Sequence, residues 1–425
     1  MFPILFAALQ ALAQDEVVVT AQQDTRFRGK LEFWRDVSNP NILSHEQIGS
    51  LALSSAAPLT FLADEFLLGK GATQGKFERF LRLAVSFQTL RWLQEPISVA
   101  GHEYAHVRGY QVAGMDSGAN FVVVEDLEVA DEVNPFSAYE LMFRQMTLKS
   151  EQYGVTIDSG DWYEFNADPK RGTFPNRQKL SAMWEAGGLN QQQFQMEALG
   201  ERVQSGQAQL LDLVMYYMGI KATNGYADVA NGDISDYVKD LDQLGVNTSM
   251  NEVRSRSQWP KLLSGGTLAF LAAIGDYLST GDKEVQSVRL KLNNLEIYTP
   301  EFSSYLTTRG PTLKTRERIA LDGQNLDLYF ERSYSDSSAE IGIGWKGQLH
   351  GRLSGQIKYL RNLEGDGFWL EGGPVVNITN WFAIGAVAYR AEGYTFHRDV
   401  FGAVPDFIEE SDSGLKLFVE FNFRF

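Results

Sequence analysis

Between Gly281 and Phe425 the apolar residues switch to a period of two, and this limits what the chain can become. Val288, Leu290 and Leu292 alternate with Arg289 and Lys291, and Leu326, Leu328 and Phe330 with Asp327 and Glu331. Ile341, Ile343 and Trp345 alternate with glycines and Lys346; Leu353, Ile357 and Tyr359 with Arg352, Ser354, Gln356 and Lys358. Leu415, Leu417, Val419, Phe421, Phe423 and Phe425 share a face opposite Lys416, Glu420, Asn422 and Arg424. Successive side chains of a strand point to opposite faces, so each segment has one apolar and one polar side. Roughly eight such strands suffice for a small antiparallel barrel, either soluble with the apolar face inward or in a membrane with it outward.

Both ends of the chain favour the membrane form. The alternate aromatics Phe421, Phe423 and Phe425 resemble the C-terminal signature strand by which bacterial outer-membrane proteins are recognised. That resemblance implies outer-membrane lipid as surroundings and the barrel assembly machinery as a partner in biogenesis. Residues 1–13 are short and apolar and end in Ala11-Leu12-Ala13, which fits a secretory signal cleaved after Ala13, although a basic n-region is missing. Asp15 to Gln22, with Glu16-Val-Val-Val-Thr-Ala21 at its centre, resembles the TonB box of TonB-dependent receptors, and an ordinary first strand or tail is the simpler reading. No uninterrupted apolar run of about 18 residues follows, so no transmembrane helix is expected.

The chemistry lies upstream. Gly101-His102-Glu103-Tyr104-Ala105-His106 reads H-E-x-x-H, which on a helix sets two imidazoles one turn apart on one face with a carboxylate beside them. Two such imidazoles can hold one zinc ion, and Glu103 can take a proton from the water the ion polarises. Pro96 suits the first turn of that helix and Gly114 its C-terminal cap, while Gly101 and Gly109 would allow close approach of a neighbour. Cysteine is absent, so the site must be built from His and carboxylates. Of the 5 histidines, His45, His350 and His397 are distant and lack supporting context. The motif and its helix resemble those of zinc metallopeptidases. Val112 stands where the metzincin pattern has its third histidine, which leaves the gluzincin type, in which a glutamate from a later helix completes the site. That resemblance points to Glu197 as third ligand, with Glu201 second; Asp126, Glu128 and Asp131 stay open, since aspartate serves in site-2-protease-like enzymes. Tyr104 and Tyr110 are weaker candidates for steadying an oxyanion.

The intervening sequence reads as mainly helical. Residues 45–95 carry a stripe of Phe77, Phe80, Leu81, Ala84, Val85, Phe87, Leu90 and Leu93, expected as core of a scaffold helix packed on the zinc helix. Asn120 to Glu125 reads as a strand, of the kind that can receive a peptide as an added strand. Residues 150–180 read as loop, and Asn190 with Gln193 reads as a capping box opening a helix through Val203. Further helices are expected at Leu210–Ile220 and Leu262–Leu278.

The fold expected is therefore α+β and multidomain: signal peptide 1–13, N-terminal extension 14–44, helical zinc-peptidase-like domain 45–280, and transmembrane barrel 281–425. A net charge of −16 supplies no basic field for nucleic acid. The leading functional expectation is a zinc-dependent metalloprotease of the outer membrane acting on a peptide or protein substrate. The other is a non-catalytic assembly, transport-accessory or receptor component, in contact with envelope proteins, whose H-E-x-x-H helix is a vestigial or structural metal site.

Overall fold

A computed structural model describes residues 28–36, 44–112, 120–123, 153–156, 167–168, 172–226, 232–379, 381–401 and 411–424. The architecture is α+β. Strand β1 (Arg28–Asp36) precedes helices α1 (His45–Ala63) and α2 (Lys76–Val112), then β2 (Asn120–Val123) and β3 (Tyr153–Thr156). Helices α3 (Asn176–Gln204), α4 (Leu213–Tyr226), α5 (Asp233–Gln243), α6 (Met250–Leu262) and α7 (Gly265–Thr280) follow. Next come β4 (Arg289–Leu292), β5 (Leu295–Tyr298), β6 (Glu301–Ser303), β7 (Leu306–Thr307), β8 (Gly310–Leu321), β9 (Gln324–Ser333), β10 (Ala339–His350), β11 (Leu353–Asn362), β12 (Phe368–Asn377) and β13 (Phe382–Glu392). Helix α8 (Phe396–Phe401) and β14 (Ser411–Arg424) end the order.

The alternating tail forms an antiparallel sheet in the order β1-β14-β13-β12-β11-β10-β9-β8-β5-β4, with β6 and β7 also on β8. Gly281 in the left-handed conformation caps α7 where the helical period stops. Asp322 and Gly323, both at positive φ, join β8 to β9 by the two-residue turn that matches strand twist. The sheet is longer than the eight strands expected, and it is open: β1 and β4 are its edges. Residues 28–36, assigned to the N-terminal extension, pair along β14 from Arg28↔Arg424 to Asp36↔Lys416.

The sheet buries charged side chains beside apolar ones on its inner face and exposes aliphatic side chains on the other. Lys314, Arg316, Arg318, Asp327, Glu331 and Glu340 are buried against the helices. Ile341, Ile343 and Ile357 are 46%, 48% and 50% exposed, and Leu328, Phe330, Leu370, Ile384 and Leu417 are exposed with them. Two of these buried cations are paired: Arg318 donates twice to Asp327 at 2.7 Å, and Lys314 meets Glu197 at 3.0 Å.

Several helix boundaries differ from the sequence reading. The scaffold and zinc helices are one 37-residue helix, α2, which runs through Pro96. Pro96 removes one backbone bond at a cost of about 3 kcal/mol, and the burial of Leu90, Ile97 and Ala100 around it offsets this. The partners of α2 are instead α1 and α3. Its expected core stripe divides: Leu90 is buried, whereas Phe77 and Phe80 are 74% and 54% exposed. Asn190 caps nothing. It lies inside α3, where its amide donates to the Leu306 carbonyl and accepts from the Leu306 N–H, both at 2.8 Å, clamping β7. Residues 153–156, read as loop, pair with β2. Within the 24 residues His45–Leu68 an 18-residue stretch reaches a mean hydropathy of 1.4, long and apolar enough to cross a membrane, though no unbroken apolar run marks it. The signal segment, the TonB-box-like stretch, Asp126, Glu128, Asp131 and Phe425 lie outside the described residues.

Candidate metal centre

The site is built where α3 crosses α2 with almost no side-chain volume between them. A Cβ on Gly187 would come within 2.8 Å of the Ala105 carbonyl oxygen, and one on Gly188 within 2.5 Å of the His102 ring. A Cβ on Gly101 would lie 3.1 Å from Gln191, so this glycine serves close packing as its sequence position suggested. Ala100, Tyr104 and Ala105 fill the core side of α2, which leaves Tyr104 fully buried there. His102 and His106 occupy the same helix one turn apart and are likewise buried.

Three ligand atoms converge. His102 Nε2 lies 2.9 Å from Asp233 Oδ2, His106 Nε2 lies 3.3 Å from the same oxygen, and the two Nε2 atoms are 3.1 Å apart. Tetrahedral zinc with ligands at about 2.1 Å holds neighbouring ligand atoms about 3.4 Å apart, so the triangle needs little adjustment to accept the ion. Two imidazoles and a carboxylate are a suitable donor set, and among the described residues this is the group that can hold a metal. His106 Nδ1 faces the Trp184 carbonyl at 2.6 Å. That contact keeps a proton on Nδ1, so the neutral imidazole would present its Nε2 lone pair to the cluster.

The carboxylate that meets the two histidines is that of Asp233, and Glu197 lies elsewhere. Asp233 is the first residue of α5, where the positive end of the helix favours a carboxylate. Glu197 lies nine residues beyond Gly188 on α3, roughly 13 Å along the axis, and its carboxylate is taken by Lys314 and Ser303. Glu201 faces Lys346 at 3.4 Å and Arg318 at 3.6 Å. Both glutamates therefore neutralise cations of the sheet. His45 touches the Ala105 and Val400 carbonyls, His397 stacks edge-on against Trp369, and His350 ends β10, so none of them joins the cluster.

The electrostatics fit a cation. Burial disfavours charge on His106, yet the Asp233 carboxylate, with help from Glu103 and the Trp184 carbonyl, overrides it and pushes the imidazole up to about 9. Burial works against an ionised Asp233 too, but His106 and the hydrogen bonds from both histidines hold it well below the usual carboxylate range. Burial raises Glu103, opposed by the two histidines and reinforced by Asp233. Glu185, on α3 beside His106, is raised to about 8 by burial, against the pull of His106, with Asp233, Asp236 and Asp240 adding to the rise. The sequence missed Asp233 and Glu185 because nothing local marks either; only the crossing of α2, α3 and the start of α5 brings them in.

Comparison with protein-family models, curated proteins and solved structures returned no match.

Proposed function

We propose that this chain is a zinc-dependent peptidase carried in the outer membrane by its β-sheet, which serves as the wall of a barrel. The observation that carries the proposal is the convergence of His102 Nε2, His106 Nε2 and Asp233 Oδ2, with Glu103 directly after the first ligand. Zinc held there would supply a Lewis acid for a water molecule and for the scissile carbonyl. Glu103 accepts the proton of the attacking water on a carboxylate oxygen and returns it to the leaving nitrogen. Partial burial raises the Glu103 carboxyl and so strengthens it as a base. Trp184 orients His106 through its carbonyl, and Gly188 lets the His102 ring sit flat against α3. The β2–β3 pair stands beside α2 and can accept an extended chain as a further strand. The membrane reading rests on the two faces of the sheet, with charge buried and isoleucine and leucine outward.

One observation favours a non-catalytic metal site: the side chains of His102 and His106 are only 1% and 5% exposed, and Asp233 20%. The deciding experiment loads wild type and Glu103→Gln with equal zinc in detergent micelles and follows cleavage of an unfolded protein. Hydrolysis lost in the variant supports the peptidase; equal, absent hydrolysis in both favours the structural site.

A further inference from the structure

Among the described residues β1 and β4 are the sheet's edges, and a run of packed helices leads from one toward the other. α1 packs along β1, α2 packs on α1, α7 packs on α2, and α7 leads through residues 281–288 into β4. The outer sides of α2 and α7 are apolar like that of the sheet, and the inner side of α2 also holds polar groups beside its apolar core. On the inner side of α2, Arg79, Ser86 and Gln94 are buried; Arg79 donates to the Gly71 and Leu278 carbonyls and Gln94 to Thr60. On its outer side Phe77, Leu81, Val85 and Trp92 are 74%, 45%, 56% and 71% exposed. Steps of four, four and seven put them on one stripe, roughly 22 Å long at the rise of an α-helix. Leu271 of α7 and Phe66 after α1 are exposed in the same way, at 59% and 75%. A helix facing water carries polar residues along its outer side.

We propose that the outer faces of α2 and α7 lie against lipid acyl chains, so that helices complete the membrane-facing wall the sheet leaves open. The inference rests on the membrane reading of the sheet. Lipid is the occupant because strands and helices alike expose apolar side chains, whereas a second copy of the chain would cover one patch. The stripe length also approaches the apolar band of about 25 Å that an outer-membrane wall presents. It ends at Trp92, and His102 follows about 15 Å further along the same helix. The metal cluster thus stands just beyond the lipid-facing zone, where a chain emerging at the membrane surface can reach it.

The absence of cysteine makes the test clean. Val85→Cys and Leu271→Cys on the helices, Ile343→Cys and Leu417→Cys on the sheet, and Asp322→Cys in the β8–β9 turn each receive one fluorophore. The full chain is reconstituted in phosphatidylcholine–phosphatidylglycerol vesicles whose acyl chains carry a spin-label quencher. The expected result is quenching at the helix positions as strong as at the sheet positions, with Asp322→Cys little affected. Quenching at the sheet alone overturns the inference and leaves the barrel standing; disulfide cross-linking through Val85→Cys would then identify a second copy as the occupant. No quenching at either set overturns the membrane reading and the inference together.

Discussion

Gly188→Ala tests the metal centre without touching a ligand. The added methyl would lie 2.5 Å from three atoms of the His102 ring, while carbon atoms in contact sit about 3.5–4.0 Å apart. The ring or the helix must therefore retreat by about 1 Å, several times the ±0.2 Å or so that ligand distances tolerate. Displacing His102 Nε2 breaks the triangle with His106 and Asp233, and zinc affinity should fall about 10–100-fold, comparable to losing the support of a ligand. Overpacking should also lower stability by about 1–3 kcal/mol. Chelator competition gives the affinity, and thermal unfolding of the zinc-free protein separates it from the stability loss. Gly275→Ala on α7, where a methyl meets open space, is the control and should leave zinc affinity unchanged. Wild-type affinity in Gly188→Ala would show that His102 does not need its position against α3, and the proposed centre would be wrong.

Zinc binding should release protons. His106, pushed up to about 9 in the metal-free protein, is protonated at neutral pH and must lose that proton to ligate. Apparent zinc affinity should therefore rise with pH up to about 9 and flatten above it, and calorimetry in buffers of different ionisation enthalpy should count about one proton released near pH 7. In the metal-free protein the sign is opposite: the His106–Asp233 pair contributes stability that is full below the ordinary histidine value of 6.5 and lost as pH passes about 9. Lys261→Met should raise stability by about 1–3 kcal/mol, because the Lys261 amine is fully buried with no hydrogen-bond partner among the described residues; a lower melting temperature would mean the amine has a use.

The parts legible in the sequence are those where one segment carries its whole signal. Each strand of the tail states its two faces by itself, so 326–330, 341–345 and 353–359 fall inside β9, β10 and β11. H-E-x-x-H is equally local, and the two histidines do meet. What depended on distant contacts was illegible. Asp233 is 127 residues beyond His106 and became a neighbour only through helix crossing. Glu197 on its helix looked free to ligate, yet Lys314, whose side chain gave no hint of pointing inward at it, claims it. Asn190 satisfied the local capping rule, but the Gly187–Gly188 contact carries α3 straight through that position. The stripe from Phe77 to Leu93 was apolar enough for a core, and periodicity alone cannot say which side of a helix faces protein. Likewise, no rule of local pattern pairs β1 with a strand at the opposite end of the chain.

The central claim is the ligand set, and metal content tests it most directly. Wild type, Asp233→Ala and Glu197→Gln, each purified as the full chain and equilibrated with zinc, would be analysed by mass spectrometry after removal of excess metal. The account predicts one zinc per chain in wild type and in Glu197→Gln, and loss of it in Asp233→Ala. Zinc retained by Asp233→Ala, or lost from a folded Glu197→Gln, would contradict it.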